Sequence, residues 1–153
     1  MAHIDLPDNI LTSLATVLQQ LQQHLPELKQ ATDFSASAFK WQDQQLKAIY
    51  QPRIIYLEDL KGIEKQKEKV IQNTLQFLKG LPANDVLLTG SRGTGKSSIV
   101  RALLTEYGAQ GLRLIEIERD DLSELPEIQK IIQHRPEKFI VYCDDLAFNA
   151  EDE

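Results

Sequence analysis

Gly90-Ser-Arg-Gly-Thr-Gly-Lys-Ser-Ser98 is the stretch from which the rest of the chain is read. It fills every fixed position of the phosphate-binding loop pattern G-x-x-x-x-G-K-[ST]. Upstream, the apolar run Asp85-Val-Leu-Leu-Thr89 predicts a buried parallel strand, and downstream Ile99-Val-Arg-Ala-Leu-Leu104 opens a helical pattern. In that context the loop amides and the helix N-terminus converge on an anion. Gly90, Gly93 and Gly95 let the main chain approach phosphate oxygens. Lys96 would carry positive charge to the β- and γ-phosphates, and Ser97 would offer its hydroxyl to Mg²⁺. Ser91, Arg92, Thr94 and Ser98 complete the expected nucleotide-contacting set.

A second chemical signal lies some fifty residues on. Lys138-Phe-Ile-Val-Tyr-Cys-Asp-Asp145 reads as a β-branched and aromatic strand ending in two carboxylates. A nucleotide hydrolase needs acids opposite its phosphate loop, so Asp144 is expected to hold Mg²⁺ and Asp145 to orient the attacking water. In this register Cys143 points toward the core.

Between these signals the chain alternates helix and strand. A helix of about fifteen residues is expected after Leu57-Glu-Asp-Leu-Lys-Gly-Ile63, with Ile63, Val70, Ile71, Leu75 and Leu78 on its apolar face and Gly80 and Pro82 stopping it. Lys65, Lys67, Glu68 and Lys69 are assigned mostly to its wet side, as a solvated face or a small basic patch. The loop helix should reach Tyr107, where Gly108 and Gly111 end it. Leu112 to Glu118 reads as a strand and Ser123 to Gln133 as a helix, and the acidic turn Asp120-Asp121 before that helix reads as a cap more readily than as a metal site.

Residues 1 to about 50 differ in character. After Pro7-Asp8-Asn9, leucines and valine at positions 11, 14, 17 or 18, 21, 25 and 28 recur at helical spacing, and the opposite face is glutamine-rich. Such an amphipathic helix either packs on its own domain or docks a protein partner or second copy; the pattern alone does not separate these. Phe39, Trp41, Leu46, Ile49 and Tyr50 form a further apolar cluster, with Trp41 read as a core or interface anchor. His3, His24 and His134 are isolated, and no group has structural-zinc spacing.

The 153 residues suffice for one ordinary domain with a real core. A net charge of −6 argues against a general nucleic-acid binder. No run approaches a membrane span, and the first residues lack a signal peptide's basic and apolar regions. The single cysteine cannot form an internal disulfide, which fits a reducing compartment. The expected location is the cytoplasm.

With both motifs placed, the chain resembles the first part of an AAA+ ATPase core. Within that class it is similar to a bacterial family catalogued as a domain of unknown function, family 815. The matching stretches are Tyr56 to Glu64, Asn73 to Leu78, Leu81 to Asn84, Gly90 to Ser98, Gly111 to Ile115 and Arg135 to Leu146, within about residues 53 to 148. The phosphate loop is class-wide, whereas Arg135-Pro-Glu-Lys-Phe139 and the acidic pair are more specific. The resemblance implies an α/β P-loop fold, a parallel sheet with flanking helices, over residues 53–153. A helical segment is expected at 1–52, and the chain is expected to be a fragment that stops after the acidic-motif strand.

By the same resemblance Leu60, Gly62 and Ile63 fall where AAA+ proteins cradle adenine. That favours ATP over GTP, in agreement with the absence of a guanine-reading Asn-Lys-x-Asp pattern. A ring-type homo-oligomer is also implied, with a neighbouring copy supplying an arginine. Two departures stand out. Asp145 occupies the place of the usual glutamate, one methylene shorter. The class's next strand, which separates the loop strand from the acidic-motif strand, has no counterpart before Glu153, so either a gap is left between apolar edges, as in the fragment expected here, or the two strands close up as neighbours. Two alternatives to an ATP-hydrolysing domain remain open at this point: a P-loop kinase, and an interaction module controlled by nucleotide without significant hydrolysis.

Overall fold

The computed structural model describes residues 31–91 and 93–144, together with Ile10, Ser13, Thr16 and Val17. Two compact units are distinguished, 1–31 and 32–153. In the first, Ile10, Ser13, Thr16 and Val17 are helical and exposed, and the leucines of the expected stripe lie outside the described residues. None of the helices among the described residues is long and apolar enough to cross a membrane.

The second unit is an α/β fold on a mixed, mostly parallel sheet of four strands. These are β1 (Ala38–Gln42), β2 (Gln45–Ile49), β3 (Leu112–Ile117) and β4 (Lys138–Cys143), in the spatial order β2-β1-β3-β4. β1 pairs antiparallel with β2 and parallel with β3, and β3 pairs parallel with β4. The helical reading of residues 1–52 therefore does not hold over 38–49, where the chain forms a hairpin. Phe39 and Trp41 alternate onto one face, and the two-residue turn Asp43-Gln44 has both φ values positive, 53° and 57°. That turn matches the right-handed twist of the strands it joins.

Helices cover both faces of the sheet. On one face α1 (Glu64–Leu78) and α2 (Lys96–Tyr107) bring Val70, Ile99, Val100, Leu103 and Leu104 onto Ala38, Leu112 and Leu114. On the other, α3 (Leu125–Ile132) sets Ile128 against Phe39, Trp41, Ile115 and Ile117. β3 is thus buried on both sides, as a central parallel strand should be. Burying each such aliphatic side chain stabilises by about 1.5–3 kcal/mol. The exposed ion pairs, screened by water, add little by comparison.

Local chemistry sets the boundaries of the elements. α1 ends in a Schellman turn: Gly80, at φ 70°, donates to the Phe77 carbonyl and Leu81 donates to that of Gln76. The helix expected over 123–133 begins as a tighter 3-10 turn, Arg119–Glu124, and becomes α-helical at Leu125, with Pro126 in its first turn. Before β4, Arg135 grips Glu137 through two hydrogen bonds of 2.8 and 3.1 Å, and its guanidinium lies 4.3 Å from the centroid of the Phe34 ring. The hydrogen bonds from Arg135 hold the Glu137 carboxyl below its ordinary value.

The apolar run at 85–89 is not a strand. β4 forms one edge of the sheet, and a cavity of about 1170 Å³ lies between it and residues 83–90. A strand needs a ladder partner, and none of the described strands stands beside this run. Val86 and Leu87 accordingly remain 49% and 66% exposed, while Leu88 packs onto the core. The run is secured at its start by a reciprocal pair of bonds: the Asn73 amide donates to the Asn84 carbonyl at 2.8 Å, and the Asn84 N–H donates to Asn73 Oδ1 at 2.9 Å.

The indole of Trp41, 1% exposed, donates to Glu124 Oε2 at 2.6 Å. Glu124→Ala leaves that N–H without its partner and is expected to lower stability by about 1.5–3 kcal/mol. Urea unfolding followed by fluorescence of the single tryptophan measures the loss. Because the folded-state pKa of Glu137 is depressed, its contribution is complete above the ordinary carboxylate value of 4.5 and is lost as pH falls through the folded value. The stability gap between wild type and Glu137→Gln should therefore be constant above about pH 4.5 and close below it, as read by unfolding at a series of pH values.

Candidate functional site

The loop closes because its glycines adopt angles other residues avoid. Gly95, at φ 87°, turns the chain directly into α2. Gly90, at φ 143°, holds a backbone conformation that side chains disfavour, and a Cβ there would approach Thr94 Oγ1 tightly, at 3.2 Å. The Thr94 hydroxyl donates to the Ser91 carbonyl at 2.8 Å, bracing the loop across its mouth. Lys96 folds back over the loop and donates to the carbonyls of Gly90 and Ser91 at 2.8 and 2.9 Å. α2 starts without a side-chain cap and without an acidic residue in its first turn, so the positive end of its dipole is left for a ligand.

Asp144 stands just past the end of β4, and its Oδ2 accepts a 2.7 Å hydrogen bond from Ser97 Oγ in the first turn of α2. Two residues 47 apart in sequence are joined there. Both offer hard oxygen donors of the kind Mg²⁺ prefers. Asp145 and Arg92 lie outside the described residues.

Tyr142 was not singled out from the sequence, yet it belongs to this site. It packs against the α1/α2 side of the sheet, and its hydroxyl is shut off from solvent. That hydroxyl interacts with both Ser97 and Asp144 but completes no well-formed hydrogen bond with either. Burial, reinforced by the neighbouring Asp144 carboxylate, pushes its pKa up to about 12, so the phenol is a neutral O–H at ordinary pH. Period-two alternation places Tyr142 and Asp144 on one side of the strand and was the signal available for it. Cys143 faces the opposite core layer, where burial raises its thiol pKa.

Leu60, Gly62 and Ile63 follow the 3-10 turn Leu57–Asp59. Leu60 and Ile63 pack onto the core, and Ile63 Cδ1 lies 3.6 Å from the position of a Cβ on Gly95, so this arm borders the phosphate loop. Lys67 holds it: its Nζ donates to the carbonyls of Leu57 and Leu60 at 2.9 and 3.0 Å. The expectation that Lys67 lies on a solvated face is corrected by these contacts, because the carbonyls of the turn attract the ammonium inward. Gly62 N–H donates to Glu64 Oε1 at 3.0 Å, and hydrogen bonds from backbone amides, that of Glu64 itself first, lower the carboxyl's pKa.

No curated protein and no solved structure matches the chain. Residues 34–153 match the family described as Protein of unknown function (DUF815). The match takes in the hairpin, the phosphate loop and the acidic pair. The chain therefore belongs to the DUF815 family, an AAA-like P-loop ATPase family.

Proposed function

We propose that this domain binds ATP together with Mg²⁺ and hydrolyses it. The observation that carries this reading is the 2.7 Å hydrogen bond between Ser97 Oγ and Asp144 Oδ2, which joins the phosphate-loop hydroxyl to the strand-end carboxylate. Family membership supports the nucleotide class.

Lys96 already sits inside the loop, with its ammonium held by two carbonyl oxygens. Phosphate oxygens arriving at the mouth compete for the same donors, and a charged acceptor binds an ammonium more strongly than a neutral carbonyl does. The amides from Gly90 to Ser98 and the start of α2 would hold the remaining phosphate charge. Ser97 and Asp144 would hold Mg²⁺, which would supply positive charge to offset the negative charge of the phosphates. Asp145 would orient the attacking water, with a reach one methylene shorter than glutamate's.

Adenine would lie against Leu60, Gly62 and Ile63, the arm that borders Gly95. By family, a ring of copies would place an arginine of one copy on the nucleotide of the next. The amphipathic leucine pattern of the first thirty residues is the candidate surface for a protein partner. Partial independence of binding from turnover follows from the division of labour: the loop and Lys96 bind, whereas Asp145 and the neighbour's arginine act on the reaction.

Calorimetric titration with ATP in the presence of Mg²⁺ tests the site. Lys96→Ala should weaken binding roughly tenfold or more, the loss of a charge-assisted contact. Equal affinities for the variant and wild type would remove the loop from the nucleotide site. Lys67→Met releases the arm and should weaken ATP binding about three- to tenfold, leaving binding of inorganic tripolyphosphate unchanged. A matching loss for both ligands would place the effect on the phosphates and not on the base.

A further inference from the structure

We propose that Tyr142 is a positioning residue for the metal-holding pair: its hydroxyl donates to the Asp144 carboxylate when the Ser97 hydroxyl turns to a cation. The inference rests on the Mg²⁺ role given above to Ser97 and Asp144. It starts from a polar atom that the fold leaves without a use. The Tyr142 hydroxyl is enclosed and makes no well-formed hydrogen bond. A phenylalanine would fill the same space without that unmet requirement.

The surroundings name the partner. In the ladder Tyr142 lies opposite Glu116, whose carboxylate is engaged by Arg101, one turn beyond Ser97 on α2. That pair is closed on itself by contacts of 3.2 and 3.3 Å. The phenol's side-chain interactions are with Ser97 and Asp144, whereas Arg101 acts on it through charge alone. A phenol donates one proton, a carboxylate only accepts, and a serine hydroxyl does either. Without a cation, Ser97 donates to Asp144 and the carboxylate is oriented by that bond. Once Ser97 presents its lone pairs to a cation, that orienting bond is lost. Tyr142 is the enclosed donor beside Asp144 and replaces it, acting as the outer partner that fixes a metal-holding carboxylate.

Tyr142→Phe removes the oxygen and keeps the ring. The reading is the ratio of ATP affinities with Mg²⁺ and with EDTA, measured by calorimetry, together with the thermal midpoint of each protein. The expected result is a ratio reduced roughly tenfold, with the EDTA affinity unchanged and the midpoint equal or higher. In an Asp144→Ala background the same substitution should leave the ratio unaltered, because the acceptor it serves is gone. An unchanged ratio in Tyr142→Phe overturns the proposal while the magnesium site stands. Equal losses with and without Mg²⁺ overturn it as well, marking a packing effect. A wild-type protein whose ATP affinity ignores Mg²⁺ overturns both the proposal and the site on which it rests.

Discussion

The parallel ladder between Leu112–Ile117 and Lys138–Cys143 is the constraint on which the site depends. β3 is sealed between two helical layers, so a one-residue slip of β4 would send its side chains to the wrong faces. With Ile140 and Tyr142 facing α1 and α2, the strand delivers Asp144, just past its end, to the first turn of α2. The 2.7 Å contact with Ser97 is therefore a consequence of aliphatic packing, set by Leu114 and Ile115 as much as by the polar residues themselves. The hairpin deepens that constraint. It pairs with the far edge of β3 and buries Phe39 and Trp41 against Ile115 and Ile117.

Electrostatically, the mouth of the loop carries uncompensated positive charge. The α2 N-terminus carries no acid in its first turn, and Lys96 donates to two neutral carbonyls. These contacts hold the side chain inward without neutralising it. Asp144 lies across from them with its acceptor oxygen turned to Ser97. Lys96 and Asp144 thus line one concave surface. On the function proposed above, a triphosphate with a divalent cation would engage both.

Much of this was legible in the sequence where the signal is local. The apolar positions of residues 63–78 give a helix because every third or fourth residue meets the same neighbour, and α1 spans Glu64–Leu78. The phosphate loop is legible because its angles demand glycine at fixed places. The hairpin was not, because Asp43-Gln44 lacks the glycine that usually marks a two-residue turn and the polar positions around it continue the glutamine-rich composition of the first thirty residues. Lys67 was misplaced for a different reason. A lysine on a helix reads as solvated, and its carbonyl partners lie ten and seven residues away, in a turn whose position depends on tertiary packing. Residues 85–89 carry a strand's composition, but pairing is a property of two segments, and composition reports only one.

That last difference bears on how the phosphate loop is held. In a loop flanked by a paired strand, the ladder and the helix share the task of fixing it. Here the approach to Gly90 runs along an open cavity, so its restraint comes from the helical side. Asn73 clamps the backbone at Asn84, Leu88 anchors in the core, and Gly95 leads straight into a helix whose Ile99, Val100 and Leu103 are buried. The groups assigned to bind phosphate and metal, Lys96 and Ser97, belong to that anchored helix, whereas Gly90 and Ser91 belong to the less restrained approach. The contacts of Lys96 with the Gly90 and Ser91 carbonyls bridge the two parts. A ligand that draws Lys96 away from those carbonyls would remove that bridge and leave the Thr94–Ser91 bond and the Asn73 clamp to hold the approach.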